Sequence, residues 1–243
     1  MDSSVDPGVL ELGGLTFEEN GLVATITLNR PETKNSQTPA TWHALRIIGA
    51  SLDPAVRVVV VQAAGDSFSS GLDRRMLSPD GLPGETSVMQ LLDMPDPEMA
   101  ESIATWQEGF TWLRRPEIVT VASVRGAAVG AGFQLALACD LRVLSETARF
   151  SMREPLLGLV PDLTGTKPLV DLVGYSRALD ICAPPSPNTR RALPVPVRPG
   201  HSPISEASSR KRRTCASRSA SRCSSRSRRD ALCSSALVAV TAP

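Results

Sequence analysis

Residues 58–73 read VVVVQAAGDSFSSGLD, an apolar, β-branched run that enters a turn containing two glycines. Residues 118–135 read IVTVASVRGAAVGAGFQL and repeat that arrangement. The apolar runs predict buried strands, and the glycines predict turns where the backbone comes close to a neighbouring group. Backbone N–H groups from two such turns can together hold the negative charge that develops on an oxygen, which is an oxyanion hole. The two segments therefore predict an α/β protein with a site between two strand-to-helix turns.

The other segments continue the alternation of strands and helices. Strands are predicted over 22–28, 56–62 and 118–124, which are apolar and mostly β-branched, and over the short run 141–144. Helices are predicted over 38–52, 101–114, 132–139 and 166–181, where apolar residues recur at helical spacing. Residues 74–100 are irregular and predict a mobile loop with short helical turns. Alternation of this kind is typical of stacked βαβ units.

Four ordered motifs resemble those of the crotonase (enoyl-CoA hydratase/isomerase) superfamily. They are LNRPETKN at 28–35, FSSGLD at 68–73, RGAAVGAG at 125–132 with its continuation to Asp140, and FSMRE at 150–154 with its extension to Pro161. Together they cover residues 15–181 in the family's order and spacing. The resemblance implies a crotonase-like β-β-α superhelix, the ClpP/crotonase fold. It also implies a coenzyme A thioester as substrate with no separate cofactor, and a homotrimer or a dimer of trimers.

The resemblance places the two oxyanion donors on the N–H groups of Ser70 and Ala131. Ala131 stands where a helix is predicted to begin, so its N–H lacks an intrahelical acceptor, and the helix dipole adds to its attraction for an anion. A thioester carbonyl held between the two donors would be polarised, and its α-proton would become acidic. The alternative is that both segments are ordinary strand-to-helix turns.

Three residues are candidates for proton transfer. Hydratases of the family use two glutamates; one position matches Glu154, but the other matches Gln134, which is a departure. Glutamine can hold a water molecule but cannot take its proton, whereas one carboxylate is enough to move a proton between two carbons. Asp162, eight residues after Glu154, matches a second acidic position of dienoyl-CoA isomerases. Hydration and double-bond isomerisation both remain open, as do a surface-charge role for Glu154 and a turn role for Asp162.

The resemblance also implies a coenzyme A site. In the family the adenine packs against the segment that corresponds to Ser70, Gly71, Leu72 and Asp73, partly through backbone contacts. Arg30, Lys34 and Arg74 are candidates for the phosphates, or are ordinary surface charges. The two histidines, His43 and His201, form no metal-binding pattern, and no metal is predicted.

The charge distribution divides the chain into residues 1–181 and 182–243. Residues 182–243 hold 12 Lys/Arg and 2 Asp/Glu, a net charge of +10. Residues 1–181 hold 14 Lys/Arg and 23 Asp/Glu, a net charge of −9, so the net charge of +1 is the sum of two opposite charges. The second part is rich in Ser, Arg and Pro and contains four of the five cysteines. It predicts a disordered tail after a crotonase-like core. Without a leader or a membrane-spanning run, a cytoplasmic protein with reduced thiols is predicted.

The tail has three interpretations. It could bind nucleic acid or an anionic membrane through its charge, it could be an unstructured extension, or it could result from a reading-frame shift in GC-rich DNA. We favour the frame shift, because the resemblance stops where the family places its C-terminal helices. Nucleic-acid binding then becomes the lesser alternative, and neither a membrane partner nor a normal trimer is expected. A core truncated in this way predicts impaired activity.

Overall fold

The computed structural model describes residues 5–183 and a two-residue strand at Leu237–Val238. The predictions for the tail, including disorder, nucleic-acid binding and the frame shift, lie almost entirely outside the described residues. The helices are α1 Pro7–Gly13, α2 Pro39–Ser51, α3 Val88–Leu92, α4 Asp96–Thr111, α5 Ala131–Ala138, α6 Thr166–Val173 and α7 Tyr175–Cys182. The strands are β1 Leu15–Asn20, β2 Val23–Leu28, β3 Val58–Ala63, β4 Val119–Val124, β5 Ala127–Val129, β6 Leu141–Leu144, β7 Arg149–Ser151 and β8 Leu237–Val238.

The main sheet has the order β1-β2-β3-β4-β6-β8. Its first pair is antiparallel and the others are parallel. Strands β3 and β4 bury every second side chain and are rich in β-branched residues, which is why residues 58–61 and 119–124 could be recognised as strands from the sequence. Because β3 and β4 are neighbours, the turns that leave their carboxyl ends meet at one edge of the sheet.

A second, two-stranded sheet lies at that edge. Strand β5 pairs with β7 in parallel register, Ala128 opposite Phe150. Ser69 makes an isolated parallel bridge to Ala128. The two turns predicted to form the site are therefore tied together by backbone hydrogen bonds.

Helices α2 and α4 pack against each other through aromatic side chains. The ring centroids of Trp42 and Trp106 are 5.1 Å apart, and those of Trp42 and Phe110 are 6.4 Å apart. Gly109 makes this approach possible, since a Cβ there would lie 2.4 Å from the Trp42 carbonyl oxygen. A second apolar cluster packs α5, α6 and α7 together through Phe133, Leu137, Met152, Leu169 and Ala178.

The structure corrects several predicted boundaries. Helix α4 begins at Asp96, five residues before the predicted start, because Pro97 in its first turn and two acidic residues there favour a helix N-terminus. The predicted helix 166–181 is two helices that are separated at Gly174, whose φ is +78°. Elements α1, β1, β5 and β7 were not predicted, nor was β8, which lies in the part predicted as a disordered tail. Among the described helices, none combines the length and the apolar character needed to cross a membrane.

Candidate functional site

The turn after β3 presses against the start of α5. Gly71 has a φ of +92°, and a Cβ on it would lie 2.6 Å from the Val129 carbonyl oxygen and 3.5 Å from the Ala131 nitrogen. A side chain at position 71 would therefore separate the two turns, and the positive φ is one that L-residues avoid. Glycine at this position brings the two predicted sources of N–H donors into contact.

Ala131 is the first residue of α5, as predicted. Gly130 precedes it with a φ of +51°, and Ala131 N–H has no acceptor among the described residues. As a first-turn N–H, it is left without an intrahelical partner and lies at the positive end of the helix dipole. This N–H can donate to an anion without losing an existing hydrogen bond.

The predicted donor Ser70 N–H needs a correction. It donates to the Lys34 carbonyl oxygen at 2.8 Å, so it is already engaged in tying the turn to the loop 29–36. Leu72 N–H, two residues on, has no acceptor among the described residues. The carbonyl of Gly71, on the same peptide, accepts from Gln37 N–H at 2.8 Å. The free N–H of this turn is therefore that of Leu72.

Glu154 and Gln134 are in direct contact. Gln134 Nε2 donates to Glu154 Oε1 at 2.8 Å, and Gly165 N–H donates to Gln134 Oε1 at 3.1 Å. Arg153 N–H donates to Glu154 Oε2 at 2.9 Å. Burial is the main influence on Glu154 and raises its pKa above the usual 4.5, while these hydrogen bonds act in the opposite direction. A carboxyl group with a raised pKa can take a proton as a base and return it as an acid.

The Glu154 carboxylate lies beside the predicted oxyanion site. A Cβ on Gly130 would be 3.2 Å from Glu154 Oε1, so a larger residue before Ala131 would crowd the carboxylate. Glu154 is thus close to the helix start whose N–H is free. The side-chain orientation of Gln134 is assigned from its two hydrogen bonds, which together require Nε2 to face Glu154.

Asp162 is half-buried, and burial raises the pKa of its carboxyl group. Its charge in turn contributes to the raised pKa of Glu154. Its backbone carbonyl accepts from Gln107 Nε2 at 2.6 Å, which ties the segment to α4. The structure therefore places Asp162 within electrostatic range of Glu154, although no side-chain hydrogen bond joins them.

Arg30 is not available for phosphate in the way the sequence suggested. Its guanidinium pairs with Asp73 Oδ2 at 3.2 Å and donates to the Ser36 carbonyl oxygen at 3.3 Å. Its methylene stem lies where a Cβ on Gly14 would be. Arg75 also pairs with Asp73, at 3.0 and 2.8 Å, and these contacts hold the pKa of the Asp73 carboxyl far below its usual range. The Asp73 side chain therefore anchors the turn.

Lys34 and Arg74 remain exposed cations beside this turn. Within the part of the chain that the structure describes, neither side chain makes an ion pair or a hydrogen bond. Both can therefore contact an anionic ligand without breaking an internal bond. No group of three or more His, Cys, Asp or Glu side chains in the described region is arranged to hold a metal ion.

Sequence reasoning missed three contributors to the site. The N–H of Leu72 was overlooked in favour of that of Ser70. Gly165 and Gly130 were also missed, although Gly165 fixes the Gln134 amide and Gly130 leaves room for Glu154. A glycine next to a predicted helix start was the available signal in both cases.

Comparisons with known proteins agree on one family. The family model described as Enoyl-CoA hydratase/isomerase matches residues 18–186. A Rhizobium meliloti (strain 1021) protein named "Probable enoyl-CoA hydratase" is 33% identical over 169 residues, which are 69% of this chain and 60% of that protein. The short-chain-enoyl-CoA hydratase of Clostridium acetobutylicum is 30% identical over 172 residues, 70% of this chain and 60% of that enzyme.

A solved structure gives the same result. The crystal structure of a Thermobifida fusca YX protein in complex with acetoacetyl-CoA is 51% identical, with a TM-score of 0.69, and the match covers 72% of this chain and 68% of that one. The predicted crotonase fold is confirmed by this similarity. The chain spans 60% of the length of the two curated relatives above.

Proposed function

Because this chain belongs to the enoyl-CoA hydratase/isomerase family, we propose that it binds an acyl-CoA thioester and transfers a proton at the carbon next to the thioester carbonyl. Acetoacetyl-CoA, the ligand in the Thermobifida fusca structure, is such a thioester. The proposed donors to the carbonyl oxygen are Leu72 N–H and Ala131 N–H, and the proposed proton-transfer residue is Glu154. The proposal needs no cofactor beyond the coenzyme A of the substrate.

One observation carries the proposal: two N–H groups that have no acceptor in the described part of the chain lie on touching turns, with the half-buried Glu154 carboxyl group beside one of them. Two N–H donors would stabilise the enolate oxygen more than the thioester oxygen, because the charge on that oxygen grows as the proton leaves. The carboxylate supplies the base. Removing one such donor from an oxyanion hole costs about 10²–10³ in rate, so the pair provides a large part of the catalysis expected here.

The reaction that follows from Glu154 alone is double-bond isomerisation. In a 3-enoyl-CoA, Glu154 takes a proton from the α-carbon and the electron pair moves into a dienolate whose oxygen the two N–H groups hold. The protonated Glu154 then returns the proton to the γ-carbon, and the double bond moves to the α,β position. Proton and electron pair both balance within the substrate, and Gln134 takes no part in the transfer because it cannot ionise.

Hydration is the second candidate, and the names of the relatives favour it. It needs a base that takes a proton from water as the oxygen adds to the β-carbon, and a proton for the α-carbon of the enolate. Asp162 is the second acidic group within electrostatic range of Glu154. A pair made of Glu154 and Asp162 would replace the two glutamates that the family's hydratases use.

Incubation of the purified chain with 2-enoyl-CoA and with 3-enoyl-CoA separates the two reactions. Mass spectrometry detects hydration by the mass of one water, whereas isomerisation leaves the mass unchanged and alters the ultraviolet absorbance of the conjugated thioester. Turnover of either substrate supports the proposal. Absence of turnover together with absence of CoA-ester binding would contradict it.

The wider setting is also proposed. A role in fatty-acid or related acyl-CoA metabolism, in the cytoplasm, would follow from the substrate class. For assembly, the family resemblance suggests a trimer or hexamer, which the missing family-like C-terminus would weaken.

A chain with impaired catalysis, or one that binds nucleic acid through residues 182–243, remains the alternative. Size-exclusion chromatography with a turnover assay tests the assembly, and filter binding at two salt concentrations tests the nucleic-acid alternative.

A further inference from the structure

A buried hydroxyl group lies under the turn that carries Leu72. Ser69 is fully buried, and its Oγ accepts from Gly71 N–H at 3.2 Å and donates to the Asn35 carbonyl oxygen at 2.7 Å. A third partner is Gln37 Nε2, which donates to the same Oγ at 3.1 Å. The hydroxyl therefore uses its one proton and both lone pairs in a single arrangement.

Ser69 also contacts the other turn. Its backbone N–H donates to the Ala127 carbonyl oxygen and its carbonyl accepts from Val129 N–H, both at 2.9 Å. A Cβ on Gly132 would lie 2.5 Å from Ser69 Cβ and 2.8 Å from its Oγ. One side chain thus touches both the turn that holds Leu72 and the first turn of α5, which begins at Ala131.

The hydrogen bonds around Gly71 determine where Leu72 N–H points. In a trans peptide the C=O and the N–H point in opposite directions. The Gly71 carbonyl accepts from Gln37 N–H, so the Leu72 N–H of that peptide points away from Gln37. The preceding peptide is fixed as well, because its N–H, that of Gly71, donates to Ser69 Oγ. Both peptide planes next to this glycine are therefore held.

Gln37 is held in turn by Trp42. The Gln37 side chain is fully buried, and its Oε1 accepts from Trp42 Nε1 at 3.0 Å. With oxygen facing Trp42, the amide must present Nε2 to Ser69, which leaves the Ser69 hydroxyl free to donate only to Asn35. A continuous series of buried hydrogen bonds leads from the aromatic packing of α2 to the Gly71 peptide.

We propose that Ser69 and Gln37 are positioning residues, which hold the Gly71–Leu72 peptide so that Leu72 N–H and Ala131 N–H face the same substrate oxygen. The inference rests on the proposed function, since it concerns the oxyanion donors of that reaction. Neither side chain touches the substrate. The Ser69 side chain acts by accepting from Gly71 N–H, and the Gln37 side chain acts through Ser69 Oγ.

The test compares Ser69→Ala and Gln37→Leu with Ser67→Ala as a matched control. Ser67 lies in the same turn, and among the described residues its hydroxyl bonds only to Asp66 Oδ1, so its loss leaves the Gly71 peptide held. Ser69→Ala should lower kcat about 10- to 100-fold, less than the loss of a whole donor, with KM within about 3-fold of the unsubstituted chain. Gln37→Leu should have a smaller effect on kcat. The double variant should have the kcat of Ser69→Ala, because the losses from two residues that act through the same hydrogen bonds do not add.

A spectroscopic measurement keeps the test independent of turnover and of folding losses. Acetoacetyl-CoA bound to the full chain should form its enolate at a lower pH than it does free in solution. Ser69→Ala should lose most of that shift, while its Kd for CoA, which has no acyl carbonyl, stays within about 3-fold of the unsubstituted value. Thermal unfolding identifies the folded fraction of each variant.

The outcomes separate the two claims. If the unsubstituted chain neither binds CoA esters nor promotes enolate formation, the proposed function fails and the positioning role fails with it. If the unsubstituted chain promotes enolate formation and folded Ser69→Ala does so equally, the positioning role alone is overturned. Additive losses in the double variant would also overturn it, because they would show that Gln37 does not act through Ser69.

Discussion

Gln134 Nε2 donates to Glu154 Oε1 at 2.8 Å. Since Gly165 N–H occupies Gln134 Oε1, the amide cannot turn round without losing that bond. Gln134 is therefore a fixed donor to Glu154, which favours the ionised carboxylate and opposes the effect of burial on its pKa. A residue that cannot transfer a proton thus sets the direction in which Glu154 Oε1 is held.

Glu154→Gln should lower turnover by about 10²–10⁴-fold, because it removes the base and keeps the shape. Binding of CoA esters should change little, so the loss should appear in kcat rather than KM. Steady-state kinetics with 3-enoyl-CoA measures both. Asp162→Asn is the comparison variant, and a Glu154→Gln protein that keeps most of its activity while Asp162→Asn loses it would move the role to Asp162.

Gln134→Glu should raise hydration relative to isomerisation, since it adds the second carboxylate of the family's hydratases. The new carboxyl group would stand where the Gln134 amide contacts Glu154; two carboxyl groups in contact cannot both ionise easily, so the pair should share a proton and titrate together at a raised apparent pKa. Product masses give the ratio. Gln134→Met, which has similar volume and no carboxyl, is the control, and an unchanged ratio in Gln134→Glu would count against a missing second carboxylate.

The rate of isomerisation should rise with pH through an apparent pKa above 4.5, the usual value for glutamate. The base form of Glu154 is the active one, and burial shifts its formation to higher pH. A profile of kcat/KM against pH on the free chain measures this value. Gln134→Met should move the midpoint further upward, because it removes a hydrogen bond to the ionised form; a downward movement would contradict the geometry.

Asp162→Asn should raise the free energy of unfolding at neutral pH. The pKa of Asp162 is raised in the folded chain by burial, so the unfolded chain ionises more readily and the carboxylate costs stability above the unfolded pKa. The gain should disappear as the pH falls below the usual 3.8, where the carboxyl is neutral in both states. Urea unfolding at several pH values measures it, and a gain that persists in acid would indicate a cause other than ionisation.

Lys34→Ala and Arg74→Ala should each weaken CoA-ester binding by about 2- to 10-fold, as expected for exposed contacts to phosphate. The effect should shrink at high ionic strength, and stability should hardly change because neither side chain has an internal partner in the described region. Calorimetry at two salt concentrations measures it. Lys167→Ala removes an exposed cation that pairs with Asp171, and an equal loss there would indicate a general charge effect.

The sequence predicted the central strands and the longer helices well, because β3 and β4 are rich in β-branched residues and bury every second side chain. It did not predict β5 and β7, each of three residues, since so short a strand has no measurable periodicity. The start of α4 was a different kind of miss. Pro97 and the acidic residues of the first turn signal a helix start, but they were assigned to the predicted loop 74–100.

The sequence predicted several residues of the candidate site but not the hydrogen bonds and ion pairs that join them. Glu154, Gln134 and Ala131 are near one another, as their motifs implied. The resemblance indicates Ser70 N–H as a donor, and the sequence does not show that the carbonyl of Lys34 accepts from it. Arg30 was a phosphate candidate because the sequence does not show its ion pair with Asp73, which lies 43 residues away. Both errors concern long-range partners, which local patterns do not contain.

The burial of α5 has a consequence for how this scaffold can diversify. All eight of its residues, Ala131 to Ala138, are buried, and Arg142 donates to the carbonyl oxygens of Ala136 and Cys139 at its other end. A change of volume anywhere along this helix would shift its first N–H relative to Glu154. A randomised library that spares residues 131–138 should therefore yield more active members than one that includes them.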